Sequence, residues 1–264
     1  MNLKTDKMIA QKDGAIGWIT FNNPARRNAV SVAMWEALGE IVADYAADDA
    51  IRVIVLKGAG DKAFVSGADI SEFDEKRSTV ETTRAYNEIS QRSTAALNDV
   101  DKPTIAMIRG WCVGGGVSLA LCCDMRIAAE GSSFAVPAAK LGLGYAFEGV
   151  RKLVQLVGPS FAREIFYTAR QFTVQEAAAM GLVNRIVPAD ELEAYVRGYA
   201  ATIAENAPLT VASIKTLVAQ ALKDESERDP GLCRGVVDRC FASADYVEGR
   251  TAFMEKRKPR FLGR

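Results

Sequence analysis

Two short apolar runs constrain this chain more than any other feature. Ile51-Arg52-Val53-Ile54-Val55-Leu56 ends in four consecutive apolar residues, and Thr104-Ile105-Ala106-Met107-Ile108 repeats the signal directly after Pro103. A strand with one face in water alternates apolar and polar residues. Uninterrupted runs rich in valine and isoleucine belong to strands covered on both faces, the situation of a parallel sheet clothed by helices. Ile16 to Phe21 reads as a further strand. Ser31 is placed to cap a helix whose apolar face is Met34, Leu38, Ile41, Val42 and Tyr45. Strand, helix, strand and helix again imply right-handed β-α-β crossovers and an α/β core.

From Ser160 onward helical patterns dominate. Thr173-Val174-Gln175-Glu176 has the spacing of a capping box, and Gly181 closes the short helix that follows it. Val183 to Val187 reads as one more strand, stopped by Pro188. Asp190 is expected to open one helix and Pro208 another. The chain has 264 residues, 49% hydrophobic and 25% charged, enough for a sizeable core. Lys+Arg and Asp+Glu both number 33, so no basic excess draws the chain to nucleic acid or a membrane surface. The N-terminal Met1-Asn2-Leu3-Lys4-Thr5-Asp6-Lys7 lacks the apolar stretch of a signal peptide, and a cytoplasmic protein is expected.

Histidine is absent. That excludes a Ser-His-Asp triad, a Cys-His pair and imidazole metal ligation, and no metal site is expected. Proton transfer falls to carboxylates, tyrosine, lysine, cysteine or the substrate. Cys112, Cys122 and Cys123 lie in apolar runs and read as buried thiols, and nothing here activates Cys112 as a nucleophile.

Two loops follow the two buried strands. The first is Phe64-Val65-Ser66-Gly67-Ala68-Asp69-Ile70, the second Gly110-Trp111-Cys112-Val113-Gly114-Gly115-Gly116. Successive glycines allow positive φ and close approach of a ligand to the main chain. Val117 to Leu121 reads as a buried helix, so Gly115 and Gly116 offer unspent N–H groups at its N-terminus. One N–H from each loop, aimed at a single oxygen, would form an oxyanion hole. Close helix–strand packing would also account for the glycines. The Gly-x-Gly-x-x-Gly dinucleotide pattern with its acidic partner is absent.

Several segments in order carry a resemblance: Asn23-Pro24-Ala25-Arg26-Arg27-Asn28-Ala29, Phe64 to Phe73, Gly110 to Asp124, Pro137 to Gly142, Ala177 to Val183 and Thr251 to Arg257. By these the chain resembles the crotonase superfamily, also called the enoyl-CoA hydratase/isomerase family. The resemblance implies a spiral of repeated β-β-α units, with residues 1–200 as the core that binds acyl-CoA. Residues 201–264 would be a C-terminal helical region for oligomerisation, as a homotrimer or dimer of trimers, that also completes the CoA site. It implies an acyl-CoA thioester as the partner, coenzyme A belonging to the substrate rather than serving as a cofactor. The thioester oxygen would sit between the N–H groups of Ala68 and Gly115, which stabilise an enolate. Carried over position by position, the CoA contacts fall on Arg26, Arg27, Ser66, Ala68, Asp69, Ile70 and Gly114, with Phe253 and Lys256 reaching a neighbouring subunit's nucleotide. Ser71 stands where many members carry a basic residue toward the phosphates.

The chain departs from the family at both catalytic glutamates. Ser118 occupies the first position and Ala138 the second, and neither side chain can serve as a carboxylate base. Glu148 is the candidate displaced acid/base, with Tyr145 as a possible acid or hydrogen-bond donor. A solvated carboxylate favoured by the dipole of a helix over 150–157 is the other reading of Glu148, and a packed ring that of Tyr145. Asp69 reads as a structural holder of its loop. Phe73, Tyr86, Tyr145 and Phe147 are candidates to line an acyl pocket. The leading expectation is an enoyl-CoA hydratase/isomerase-like enzyme. Decarboxylation of a malonyl-type CoA, CoA-thioester hydrolysis and non-catalytic acyl-CoA binding are the alternatives.

Overall fold

The computed structural model describes residues 3–72 and 78–264. Strands β1 (Met8–Asp13) and β2 (Ile16–Phe21) form an antiparallel hairpin, followed by helix α1 (Val32–Ala47). Three turns of one theme come next. β3 (Val53–Gly58) and β4 (Ala63–Val65) lead to α2 (Val80–Asp99). β5 (Thr104–Ile108) and β6 (Trp111–Val113) lead to α3 (Gly115–Cys122). β7 (Met125–Ala129) and β8 (Ser133–Ala135) lead to α4 (Phe147–Thr168), which is broken at Gly158 (φ +75°) before Pro159. β9 (Phe172–Thr173), α5 (Val174–Ala179), β10 (Arg185–Val187) and α6 (Leu192–Ala204) follow, then α7 (Pro208–Ala221), α8 (Pro230–Phe241) and α9 (Ala244–Glu255).

The first strand of each turn joins a six-stranded sheet in the order β1-β2-β3-β5-β7-β10, and the second joins a four-stranded sheet, β4-β6-β8-β9. Apart from the β1–β2 and β8–β9 pairs, all pairings are parallel. This is the spiral of β-β-α units expected from the sequence. The two apolar runs are buried on both sides. Ile54, Leu56, Ala106 and Ile108 face the main core, whereas Val53, Val55, Ile105 and Met107 face a second one that Leu192, Val196 and Ala200 of α6 seal. Residue 200 thus lies inside the helix that closes the sheet's far side.

Local sequence chemistry sets the helix ends. The Ser31 side chain accepts from Met34 N, and the Thr173–Glu176 box is closed in both directions. Pro208 opens α7 as expected. The helix expected from Asp190 begins at Leu192, with Glu191 at its cap position and no side-chain cap bond. The helix expected over 150–157 starts earlier, at Phe147, and after its break continues to Thr168. No helix of the described residues is long and apolar enough to cross a membrane.

Candidate active site

The register of β4 against β6 (Ala63 beside Trp111, Val65 beside Cys112) brings the loops after the two strands together. Gly116 is what lets them meet. A Cβ there would lie 2.1 Å from the carbonyl oxygen of Val65, a main-chain atom that cannot move aside. Gly67 takes φ +113° and Gly114 φ +54°, and a Cβ on Gly115 would lie 3.7 Å from Ala68 N. Val30 bridges the first loop in parallel fashion, donating to Gly67 O (2.8 Å) and accepting from Asp69 N (3.0 Å). Those bonds leave the N–H of Ala68 unused. Gly115 stands at the first position of α3, where an amide has no intrahelical acceptor. Among the described residues neither N–H finds a main-chain acceptor, and both residues border one cavity of about 360 Å³.

The rest of the lining is made largely of side chains. Ser118, one turn along α3 from Gly115, shares a 2.6 Å hydrogen bond with the Tyr145 hydroxyl. The Tyr145 ring packs edge-on against Phe166 at 4.9 Å, and burial pushes its hydroxyl above the ordinary tyrosine pKa although the Ser118 bond opposes that rise. Ala138 is buried beside them. Glu148 also borders the cavity, with its side chain 66% exposed and gripped by Arg151 through Oε2 at 2.8 and 3.1 Å. It is the one acidic residue among the described residues of that lining. Tyr86 lines the far end, where its hydroxyl accepts from Trp35 Nε1 at 2.9 Å.

The enoyl-CoA hydratase/isomerase family model matches residues 11–264. The chain belongs to that family. Crotonyl-CoA hydratase of Syntrophomonas wolfei is 33% identical over 259 residues, covering 98% of this chain and 99% of the relative. Carnitinyl-CoA dehydratase of Proteus mirabilis is 33% identical over 255 residues, covering 95% and 96%. The solved structure of an enoyl-CoA hydratase/carnitine racemase from Magnetospirillum magneticum is similar with a TM-score of 0.92 at 38% identity, covering 99% of this chain and 97% of the other.

Within this crotonase-superfamily fold the residues singled out from the sequence fall into three groups. Ser66, Ala68, Gly114, Gly115, Tyr145 and Glu148 meet around the cavity. Arg26, Arg27 and Asp69 stand beside it. Arg27 lies over the Trp111 ring at 4.3 Å, and Arg26 Nη1 donates to Asp69 Oδ1 at 3.0 Å. Asp69 is buried, which raises a carboxyl pKa, but the bonds from Ser71 and the charge of Arg26 outweigh this and hold it below the usual range. Ser71 therefore serves the loop through that carboxylate. Ile70 begins a short 3-10 turn. Phe253 and Lys256 lie on and just after α9, outside the cavity lining, and Phe253 is 81% exposed.

Two expectations for the acyl pocket change. Phe147 points outward, 74% exposed, and does not line the cavity, because the helix expected to start after it already includes it. Phe73 falls outside the described residues. Cys112 is fully buried, and burial pushes its thiol far up, away from thiolate reactivity. Sequence reasoning missed the Ser118–Tyr145 bond and the cavity-lining Lys152. Only the helical spacing of Ser118 from Gly115, and of Lys152 from Glu148, hinted that these residues share walls.

Proposed function

We propose that this protein forms and stabilises a thioester enolate on an acyl-CoA, as an enzyme of enoyl-CoA hydratase/isomerase type. One observation carries the reading: the unspent amides of Ala68 and Gly115 lie side by side on a closed backbone wall of a ligand-sized cavity. An oxygen that gains charge between two fixed N–H donors is stabilised without reorganisation, an effect worth about 10²–10³ in rate per donor. Ser118 and Tyr145 face that position. Burial keeps the tyrosine protonated through neutral pH, so the pair donates hydrogen bonds or a proton and does not act as a base.

In the hydratase direction, Glu148 takes a proton from water as its oxygen bonds to the β-carbon. The double-bond electrons move into the enolate, the Tyr145 hydroxyl gives a proton to the α-carbon, and the tyrosinate recovers one from protonated Glu148 through solvent, which restores both groups. Coenzyme A enters as part of the substrate, along Arg26, Arg27 and Ser66, with Phe253 and Lys256 serving a neighbouring copy. The exposed Ile214, Val218 and Leu222 on and just after α7, and Phe253 and Met254 of α9, support burial of this C-terminal region in a trimer or dimer of trimers.

Glu148 also supports a second reading. Its carboxylate is exposed and held by Arg151, whereas decarboxylation of a malonyl-type thioester needs no base. The carbon–carboxylate bond breaks, CO₂ leaves with its oxygens, and the electron pair becomes the same enolate. The Ser118–Tyr145 hydroxyls would then place the departing carboxylate.

Incubation in D₂O with saturated, 2-enoyl and malonyl-type CoA thioesters, read by mass spectrometry beside Glu148→Gln, separates these readings. Product or α-deuterium that disappears in the variant is expected for the hydratase/isomerase reading. Turnover of the malonyl-type thioester alone, surviving the substitution, moves the assignment to decarboxylation. Release of free CoA would mark a hydrolase. Tight binding without exchange on any substrate would reduce the protein to a binder.

A further inference from the structure

The cavity is not apolar throughout. It extends along α3 from Gly115 past Ser118 and Leu121 to Cys122, four points on one helical face. Seven residues at about 1.5 Å each set the far end roughly 10 Å from the amides. There α2 turns an unusual face to the space. Asn87, Ser90, Gln91 and Thr94 follow the i, i+3, i+4, i+7 spacing of a single helical stripe, and all four line the cavity. The buried Ser93 and Leu97 lie beside this stripe on α2, and Tyr86, which also lines the cavity, borders its start.

Across from this stripe stands Lys152 of α4, also in the lining. Its ammonium has three donors. One reaches Asn98 Oδ1 at 2.9 Å and another Cys122 Sγ at 3.3 Å, which leaves one free. Glu148 lies one helical turn before Lys152 and would be its natural i, i+4 partner, but Arg151 holds that carboxylate instead. Among the described residues no acid forms a salt bridge with Lys152, so the lining contains a cation without an ion-pair partner. A plain hydrocarbon tail laid along α3 would end against this ammonium and the Asn87 and Gln91 amides without bonding any of them.

Resting on the acyl-CoA reading above, we propose that the acyl group carries a second, distal carboxylate, received by Lys152 and the polar stripe of α2. The substrate class is the monothioester of a dicarboxylic acid, its thioester end at Ala68 and Gly115 and its free carboxylate at the C-terminal end of α3. A carboxylate there takes the unused Lys152 N–H as a charge-assisted hydrogen bond, which is stronger than a neutral one. The Asn87 and Gln91 amides supply further donors.

Calorimetric titration of the full chain tests this with two matched series. One consists of adipyl-, suberyl- and sebacyl-CoA, the other of hexanoyl-, octanoyl- and decanoyl-CoA. The proposal expects the best dicarboxylic member to bind at least tenfold tighter than its monocarboxylic partner of equal length, with the advantage shrinking as salt is raised. Lys152→Met should erase that advantage while leaving the monocarboxylic affinities unchanged, and Lys152→Arg should retain most of it. Equal or tighter binding of the monocarboxylic series by the unaltered protein overturns the proposal and leaves the enolate reading standing. A Lys152→Met variant that weakens both series alike makes Lys152 a structural counter-charge at the end of α3 and also overturns it. Failure of both series to bind removes the acyl-CoA reading itself, and this inference with it.

Discussion

The two walls of the cavity are built by different means. One is main chain: the Gly67-Ala68 loop and the Gly114-Gly115 turn, seated by strand register and by the contact of Gly116 with Val65. The other is side chain: Ser118, Ala138, Tyr145, Glu148 and Lys152. Main-chain donors survive any substitution that respects their conformation, so the first wall belongs to the fold. The second can be exchanged residue by residue, so the chemistry this cavity can do depends on which side chains stand there. At two of its positions stand Ser118 and Ala138, neither of which can act as a carboxylate base, and Glu148 is the one acid among the described residues of the lining.

The largest effect should come from damaging the main-chain wall. Gly116→Ala places a methyl group on the Val65 carbonyl and forces α3 away from β4, at a cost of about 1–3 kcal/mol or more. Activity should fall by more than about 10²-fold as the Gly115 amide leaves its position. A lowered melting temperature together with lost turnover would bear this out, whereas an active variant of unchanged stability would show that the two walls are not seated by this contact.

A smaller effect is expected across the cavity. Tyr145→Phe should lower kcat by about 10²-fold with the melting temperature nearly unchanged, since the ring keeps its packing on Phe166. The pH profile sharpens the point. The folded pKa of Tyr145 lies above its ordinary value of 10.0, so the protonated donor persists through neutral pH and is lost only as pH rises beyond that value. The alkaline limb of the rate should therefore lie above pH 10 and vanish in Tyr145→Phe. An alkaline limb identical in both proteins would remove Tyr145 from the proton path.

The smallest effect is expected beside the main-chain wall. Arg26 is mostly exposed, and exposed ion pairs contribute about 0–1 kcal/mol. Arg26→Ala should barely move the melting temperature, because Asp69 retains both bonds from Ser71. A raised KM at constant kcat would mark Arg26 as a contact to coenzyme A. A fall in kcat alone would instead show that the ion pair positions the Ala68 loop.

The main-chain wall was legible from the sequence because glycine has few reasons to recur after a buried strand. The same holds for the local signals: β5 lies where Thr104–Ile108 placed it, and the caps at Ser31 and Thr173 close as expected. The side-chain wall was only half legible. Tyr145 and Ser118 are 27 residues apart, and no periodicity links a helix to a loop that reaches it from another turn of the spiral. Phe147 was misplaced because a helix that starts there, behind Ala146 at the cap position, has no side-chain cap to announce it. Lys152 escaped notice for a similar reason: a lysine one turn after a glutamate looks like a solvated pair until Arg151 is seen to hold that glutamate.

The break in α4 gives the molecule a handle on its own site. Glu148 and Lys152 ride on the segment before Gly158, whereas Phe166, which braces the Tyr145 ring, rides on the segment after it. Two cavity-lining side chains and the buttress of a third thus belong to two rods joined at Gly158. For anyone redesigning this protein, Phe166 offers a way to shift the tyrosine from outside the cavity lining, with every side chain that borders the cavity kept as it is.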